Sequence, residues 1–281
     1  MPEQIDTSRI TGERLKEYLS QGKRFDERTP EEFREISVEI GFAKNAEGSA
    51  KVKIGKTEVI VGVQMEVAEP YPDSKDKGNL LVTSELLPLS SPRYELGPPK
   101  FPAIELGRLI DRGIRESKFI QLDKLCIKEG EKVWTVMIDI YPLNDDGNLV
   151  DAAGIGAVLA LKNTKLPKYD EKEKKVLHDE PLSKENLPLS KDIPITITVH
   201  KIGKNLLVDP TVEEEDMSEA RMTITSADGA ISSMQKGNMK EIEVEEFNKI
   251  LDIVEKTERK IFLSLKEYLK WDLSLTQINL S

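Results

Sequence analysis

The chain is poor in the residues that stabilise proteins through covalent or metal cross-links. Its 281 residues include one cysteine, Cys126, and two histidines, His178 and His200, which are well separated in sequence. A single cysteine excludes a disulfide framework, and two isolated histidines do not supply the ligands of a zinc site. We therefore expect no metal site, and a reducing compartment, the cytoplasm, as the location of the protein.

Long apolar segments are also missing. The most apolar run, from Ala152 to Leu161, is shorter than the roughly 20 residues that span a membrane. The first residues, MPEQIDTSRITGERLKEYL, lack the apolar core of a signal peptide. We therefore expect a soluble globular protein without a membrane partner. The net charge of −10 argues against indiscriminate nucleic-acid binding, so any contact with RNA must come from a local basic surface.

Strand patterns followed by a helix pattern occur twice, and this order predicts an α+β fold with sheet and helix layers. In the first half, three strands with alternating apolar residues and glycine-bearing turns predict an antiparallel meander, and Leu80 to Leu89 predicts a further strand. In the second half, the Asp228-Gly229 pair predicts a hairpin turn. The helices are expected at about Ala103 to Ser117, from Leu149 onward, and in a closing segment that reaches about Trp271.

We interpret the chain as one domain with a short extension. Residues 1–23 form an N-terminal helical extension, in which a helix is expected from about Thr11 to Gln21. Residues 24–281 form the domain, with halves at about 24–165 and 190–281. The polar segment from Lys165 to Leu189, between the halves, is expected to be an exposed excursion.

The segment from Trp134 to Asn163 combines a strand, a turn and a helix. Its apolar residues alternate up to Pro142, which we expect to end the strand, and NDDGN then predicts a turn around Gly147. The small apolar run AAGIGAVLAL predicts a buried helix. A glycine turn before a helix N-terminus is suited to binding an anion. Here, three carboxylates occupy the position of the anion, those of Asp145, Asp146 and Asp151; the alternative interpretation is an ordinary tight turn.

Several motifs resemble those of the RNase PH family. They are GSAKVKIGKTEVIVGV, GNLLVTSELLPL, VWTVMIDIY, and the set Arg24, Asp26 and Arg28, with Glu27 where the family has glycine. Phosphorolytic members carry Gly-Gly-Thr/Ser-Arg at the turn to hold inorganic phosphate. The resemblance places other residues at these phosphate positions, namely Asn148, Leu149 and Val150.

Two further departures from the phosphorolytic pattern follow from the resemblance. Arg221 stands where active members have an aspartate that serves as the general acid or a metal-linked carboxylate. Arginine stays charged near neutrality and cannot shuttle protons there. Phe101 and Pro102 stand where active archaeal members carry paired arginines. We therefore expect no catalytic residues in this chain.

One predicted helix carries a row of basic residues. Arg108, Arg112 and Arg115 lie at i, i+4 and i+7, so they share one face of the helix. The run IELGRLIDRGIRES resembles the corresponding helix of the non-catalytic RNase PH-like subunits of archaeal exosomes, whose arginines line the path of RNA. The resemblance implies that these three arginines bind the RNA backbone. The alternative is an ordinary solvated basic face.

The resemblance also implies partners. It implies a ring of three heterodimers with a catalytic RNase PH-like subunit, an S1/KH-type RNA-binding cap, single-stranded RNA as the substrate, and no cofactor. The rival hypotheses are a phosphorolytic exoribonuclease in its own right and a pure assembly subunit that never contacts RNA.

The acidic run from Glu213 to Glu219 (EEEDMSE) is a candidate for a metal site. Mg²⁺ requires converging oxygen ligands in near-octahedral order, which a flexible run of carboxylates seldom provides. We expect a solvated or partner-facing loop.

Overall fold

The computed structural model of the protein describes residues 7–170, 173, 175–178, 180 and 182–269. Its helices and strands, in chain order, are α1 Arg9–Ser20, β1 Ile36–Ile40, β2 Gly48–Ile54, β3 Thr57–Ala68, β4 Asn79–Ser84, α2 Phe101–Glu116, β5 Cys126–Lys128, β6 Lys132–Asn144, α3 Leu149–Asn163, β7 Lys168–Asp170, β8 Lys175–Leu177, β9 Ile195–Ile202, β10 Asn205–Val208, α4 Val212–Asp216, β11 Ala220–Ala227, β12 Ala230–Gly237, α5 Val244–Ser264 and α6 Lys266–Leu269.

The first sheet has the strand order β1-β2-β3-β6-β4, and β5 pairs with one end of β6. The strands β1, β2, β3 and β6 are antiparallel neighbours, which confirms the predicted meander. Strand β4 runs parallel to β6 and forms one edge of the sheet. Alternate residues of β3 are fully buried, as the period-two pattern predicts: Val59, Val61, Val63 and Met65.

The second sheet has the strand order β10-β9-β11-β12 and is entirely antiparallel. The predicted hairpin between β11 and β12 turns at Asp228 and Gly229, whose φ angles are 50° and 76°. Positive φ at both central residues is the requirement of a type I′ turn, which is why Asp-Gly suits this position. All eight residues of β9 are buried, so this sheet is covered on both faces.

Helices α2 and α3 lie between the two sheets, and α5 packs on β9 and β11 of the second sheet. Two glycines allow α3 to approach both sheets closely. A Cβ atom at Gly156 would lie 2.7 Å from Val61 of the first sheet, and one at Gly154 would lie 3.0 Å from Thr196 of the second. The small residues of α3 therefore fit a helix enclosed on all sides, and the predicted α+β fold with sheet and helix layers is confirmed.

Two predicted strand ends are wrong. Strand β4 ends at Ser84 rather than Leu89, because the Ser84 hydroxyl donates to the carbonyl of Ala103 on α2 and the following residues turn toward the helix. Strand β6 does not end at Pro142 but continues to Asn144. Pro142 pairs with Val59 at a register shift, where a residue without an N–H group can be accommodated in a sheet.

The helix boundaries also differ from the prediction. Helix α1 begins before Thr11, because the Ser8 hydroxyl accepts a hydrogen bond from the backbone N–H of Thr11 and caps the helix. Helix α2 begins at Phe101, with Pro102 in its first turn, where proline is favoured. The predicted closing helix is divided into α5 and α6 at Leu265, and its predicted end at Trp271 lies outside the described residues.

The segment between the halves is more ordered than an exposed excursion. It contains the β7–β8 hairpin, and Val176 and Leu187 are buried. His178 connects this region to the first sheet. Its Nδ1 lies 3.0 Å from a carboxylate oxygen of Glu47, and its Nε2 lies 2.9 Å from one of Glu66. Ionised carboxylates only accept hydrogen bonds, so both ring nitrogens must carry protons for both bonds to form.

We predict that replacing His178 by glutamine destabilises the protein in mild acid but changes stability little in base. Partial burial lowers the pKa of His178, and the hydrogen bonds to Glu47 and Glu66 outweigh it, so the pKa is raised. The stabilisation is therefore complete below the ordinary histidine pKa and is lost as the pH rises through the raised value. Urea unfolding of the wild type and the variant, at about pH 5.5 and about pH 9, measures the difference in their free energies of unfolding. The same difference at both pH values would contradict the prediction.

Candidate functional site

The turn between β6 and α3 has the backbone of an anion site. Gly147 and Asn148 have φ angles of 84° and 63°, and the Thr57 hydroxyl donates to the carbonyl of Gly147 over 2.6 Å. A Cβ atom at position 147 would lie 2.5 Å from the carbonyl oxygen of Pro210. Glycine is therefore required at position 147 for two reasons. The backbone has a positive φ angle, and the chain before α4 leaves no room for a Cβ atom.

Two N–H groups at this turn donate to carboxylates of the chain itself. The N–H of Gly147 donates to Asp145 over 3.0 Å, and the N–H of Asn148 donates to Glu215 over 3.0 Å. Leu149 and Val150 line the adjacent cavity, where they present apolar side chains. A phosphate would meet negative charge instead of free donors. The carboxylate of Glu215 was missed by the sequence analysis, because it comes from a segment 67 residues away.

Of the carboxylates predicted at the anion position, only that of Asp145 lies there. Asp146 pairs with Arg34. Asp151 points into the core, where its side chain is fully buried beside Thr198 of β9. Burial raises the pKa of Asp151 well above its usual range. The prediction for Asp151 is wrong, because the first turn of α3 faces the second sheet at this residue.

The carboxylate of Asp209 lies directly beneath the turn and is fully buried. It accepts three hydrogen bonds from Arg34, one from Arg28 and one from the side chain of Asn148, with lengths of 2.7–2.9 Å. Burial alone would raise the pKa of Asp209, but Arg34 and Arg28 outweigh it and lower the pKa. Asn148 therefore supports the turn from below and is itself almost fully buried.

The first part of the acidic run, up to Asp216, is not a loop, although a solvated or partner-facing loop was predicted. It belongs to helix α4, and Glu214 closes a capping box with Thr211. Glu214 is buried and forms an ion pair with Arg24, whose side chain is fully buried. Asp216 accepts two hydrogen bonds of 2.9 Å from Arg93. Among the described residues, no group of three or more candidate ligands could hold a metal ion.

A cavity of about 340 Å³ lies above the turn. It brings together Leu149, Val150 and Arg221, which the sequence analysis placed at the phosphate and catalytic positions. Arg221 forms an ion pair with Glu105 of α2. His200 also lines the cavity, and burial, with nearby Arg221 and Arg24, lowers the pKa of His200 to about 3. The histidine is therefore neutral near pH 7.

Tyr94 closes another side of this cavity. Its hydroxyl donates to Asp145 over 2.5 Å. Burial is the main reason that the pKa of Tyr94 is raised far above its usual range, and the negative charge of Asp145 raises it further. The polar groups on this side are thus bonded to one another, and no sequence pattern pointed to Tyr94.

The basic row on α2 lines a different space. Arg108, Arg112 and Arg115 are exposed and border a groove of about 680 Å³ between α2 and the edge strand β4. Arg115 is held by an ion pair with Asp111 and a hydrogen bond to the carbonyl of Leu80. Within the described part of the chain, Arg108 and Arg112 have no hydrogen-bond or ion-pair partner. The groove and the cavity are adjacent, since Pro99 and Ala103 line both.

Comparison with known proteins assigns the class of this fold and site. Residues 32–167 match domain 1 of the 3′ exoribonuclease family, the RNase PH domain, and residues 192–256 match domain 2. The chain belongs to this family.

Similar curated proteins include exosome components of archaea. The chain is 47% identical over 233 residues to the exosome complex component Rrp42 of Methanocella arvoryzae. The match covers 83% of this chain and 86% of that protein. It is 46% identical to the Rrp42 component of Thermococcus onnurineus, over 84% of this chain and 86% of that protein.

A similar solved structure is that of the Archaeoglobus fulgidus exosome with RNA bound to the active site. The chain in that structure has a TM-score of 0.83 and 40% identity, and the match covers 91% of this chain and 98% of that one. A chain of an archaeal exosome core has a TM-score of 0.80 and 38% identity, over 92% of this chain and 96% of that one.

We predict that replacing Asp209 by alanine lowers the free energy of unfolding by about 3–5 kcal/mol, because Arg28 and Arg34 then lose the buried carboxylate that they share. Urea unfolding at neutral pH measures the loss. The matched control replaces Glu13, whose ion pair with Arg9 is exposed and should contribute little. A loss no larger than that of the control would contradict the assigned role of Asp209.

Proposed function

We propose that this protein is a non-catalytic subunit of an exosome, a complex that degrades RNA from its 3′ end by phosphorolysis. The observation that carries the proposal is the occupation of the turn at Gly147 and Asn148 by the carboxylates of Asp145 and Glu215. The same family fold is retained, whereas the donors that would bind phosphate are used inside the protein.

Phosphorolysis requires an attacking phosphate and a group that manages the proton of the leaving hydroxyl. Negative charge at the turn repels the phosphate. Arg221, at the position of the family's aspartate, keeps its proton near neutrality and is held by Glu105. His200 is too deeply buried and its pKa too low to act as an acid near pH 7. Neither part of the reaction is supported by the residues that line the cavity.

The contribution of this subunit is instead to bind substrate. Arg108 and Arg112 are exposed, adjacent on one helix face and without acidic partners among the described residues. Unpaired arginines along a groove bind successive phosphates of a single strand without reading its sequence. Arg115 is partly neutralised by Asp111 and contributes less.

The partners that the proposal requires are other RNase PH-like chains. The subunit alternates with a catalytic sister in a ring of three heterodimers and completes the sister's site, and S1/KH-type subunits form a cap on one face. Strand β4 is an edge of the first sheet, and an edge strand can pair with another chain, which supports a role in assembly. We place the complex in the cytoplasm.

We predict that replacing Arg108 and Arg112 together by alanine weakens RNA binding by the assembled ring but leaves assembly intact. Each lost phosphate contact should reduce the slope of log affinity against log salt by about 0.7. The loss should be at most about 1.5–3 kcal/mol for each arginine, and less where water competes. Rings are prepared by co-expression with the catalytic sister, verified by native mass, and titrated with single-stranded RNA without phosphate, so that no phosphorolysis occurs.

The control for this experiment removes the same charge from other surfaces. Arg9 and Arg259 are exposed on α1 and α5 and pair with Glu13 and Glu255. Their joint replacement by alanine should leave the salt slope unchanged. If the Arg108 and Arg112 variant also kept the wild-type slope and affinity, this helix face would be ordinary solvated surface, and the protein would act in assembly alone.

A further inference from the structure

The groove beside the basic row has an aromatic residue on its wall. Tyr71, from the loop between β3 and β4, lines the groove together with Arg108, Arg112 and Arg115. Its side chain is 45% exposed and has no hydrogen-bond or ring-stacking partner among the described residues. An aromatic ring is therefore available at the surface, in the same groove as the unpaired Arg108 and Arg112.

The loop presents this ring on a restrained backbone. Pro70 and Pro72 flank Tyr71 and fix their own φ angles, which restricts the conformations of the residue between them. The N–H of Ser74 donates to the carbonyl of Tyr71 over 3.0 Å and closes a turn. The side chain of Asn79 donates to the carbonyl of Glu69 over 2.9 Å and ties the two ends of the loop together. Little conformational entropy remains to be lost when a ligand stacks on Tyr71.

The rest of the groove is partly apolar. Its walls include the exposed apolar side chains of Leu81, at 45%, and Ile104, at 49%. Cations along one side and an aromatic ring beside them are the two elements of sites that bind single strands without sequence preference. Phosphates would contact the arginines, while a base would lie against the ring.

We propose that Tyr71 stacks on a base of the single-stranded RNA whose phosphates Arg108 and Arg112 bind. This inference rests on the proposed function and adds a second kind of contact to it. Stacking neutralises no phosphate, so it changes affinity without changing the number of counterions released. The two contacts are therefore separable by the salt dependence of binding.

The test compares rings that carry Tyr71→Leu and Tyr71→Phe, assembled with the catalytic sister and titrated with single-stranded RNA in phosphate-free buffer. Leucine keeps apolar bulk but removes the aromatic face, and phenylalanine keeps that face. We expect Tyr71→Leu to weaken binding by about 5- to 150-fold with an unchanged salt slope. Tyr71→Phe should bind like the wild type. Tyr268, which is 44% exposed on α6, provides the control variant Tyr268→Leu, expected to be silent.

The outcomes distinguish this inference from the proposed function. If the Arg108 and Arg112 variant loses affinity but Tyr71→Leu does not, the stacking contact is wrong and the proposed function stands. If neither variant loses affinity, the stacking contact and the proposed RNA-binding role of Arg108 and Arg112 are both wrong. Equal losses in Tyr71→Leu and Tyr71→Phe would indicate a contact of the hydroxyl and would also overturn stacking. Should the leucine variant fail to assemble, Tyr71→Trp decides, since tighter binding supports stacking and unchanged or weaker binding contradicts it.

Discussion

The architecture of the site depends on one buried ion, the carboxylate of Asp209. Arg28 and Arg34 reach it from the segment before β1, and Asn148 reaches it from the turn before α3. Asn148 is more than 100 residues from both arginines in sequence, yet all three groups share one acceptor. A buried carboxylate without such partners would be strongly unfavourable, so its burial requires that all three segments are in place. This constraint joins the two halves of the fold at the turn between β6 and α3.

The charged groups of the protein therefore differ between two places, the turn, where they are paired, and the outer face of α2, where two of them are not. Around the turn, each ion pair and backbone donor described above is used inside the protein, including the N–H groups that Asp145 and Glu215 occupy. A ligand would have to break these hydrogen bonds in order to bind, and breaking them costs free energy. On the outer face of α2, by contrast, Arg108 and Arg112 have no partner among the described residues. The fold thus has a rigid scaffold at the turn before α3 and leaves the unpaired Arg108 and Arg112 in the neighbouring groove.

The sequence patterns predicted the layers well and the contacts within the site poorly. Burial has a local signature, because alternation in β3 and small residues in α3 report directly on the surfaces they face. Ion pairs between distant segments have no such signature: nothing in the acidic run indicates that Glu214 binds Arg24 or that Glu215 caps the turn at Asn148. The prolines on both sides of Tyr71 indicate a rigid loop from the sequence alone. Only the tertiary structure, however, shows that Tyr71 lies in the same groove as the arginines.

The most direct test of the central claim measures phosphate-dependent release of nucleoside diphosphate from RNA by this chain alone, by the catalytic sister alone and by the assembled ring. If the chain's own carboxylates close its anion site, the purified chain releases none at any phosphate concentration, and the ring releases product through the sister. Phosphate-dependent release by the chain alone would contradict the account, because it would require an anion to bind where Asp145 and Glu215 now lie.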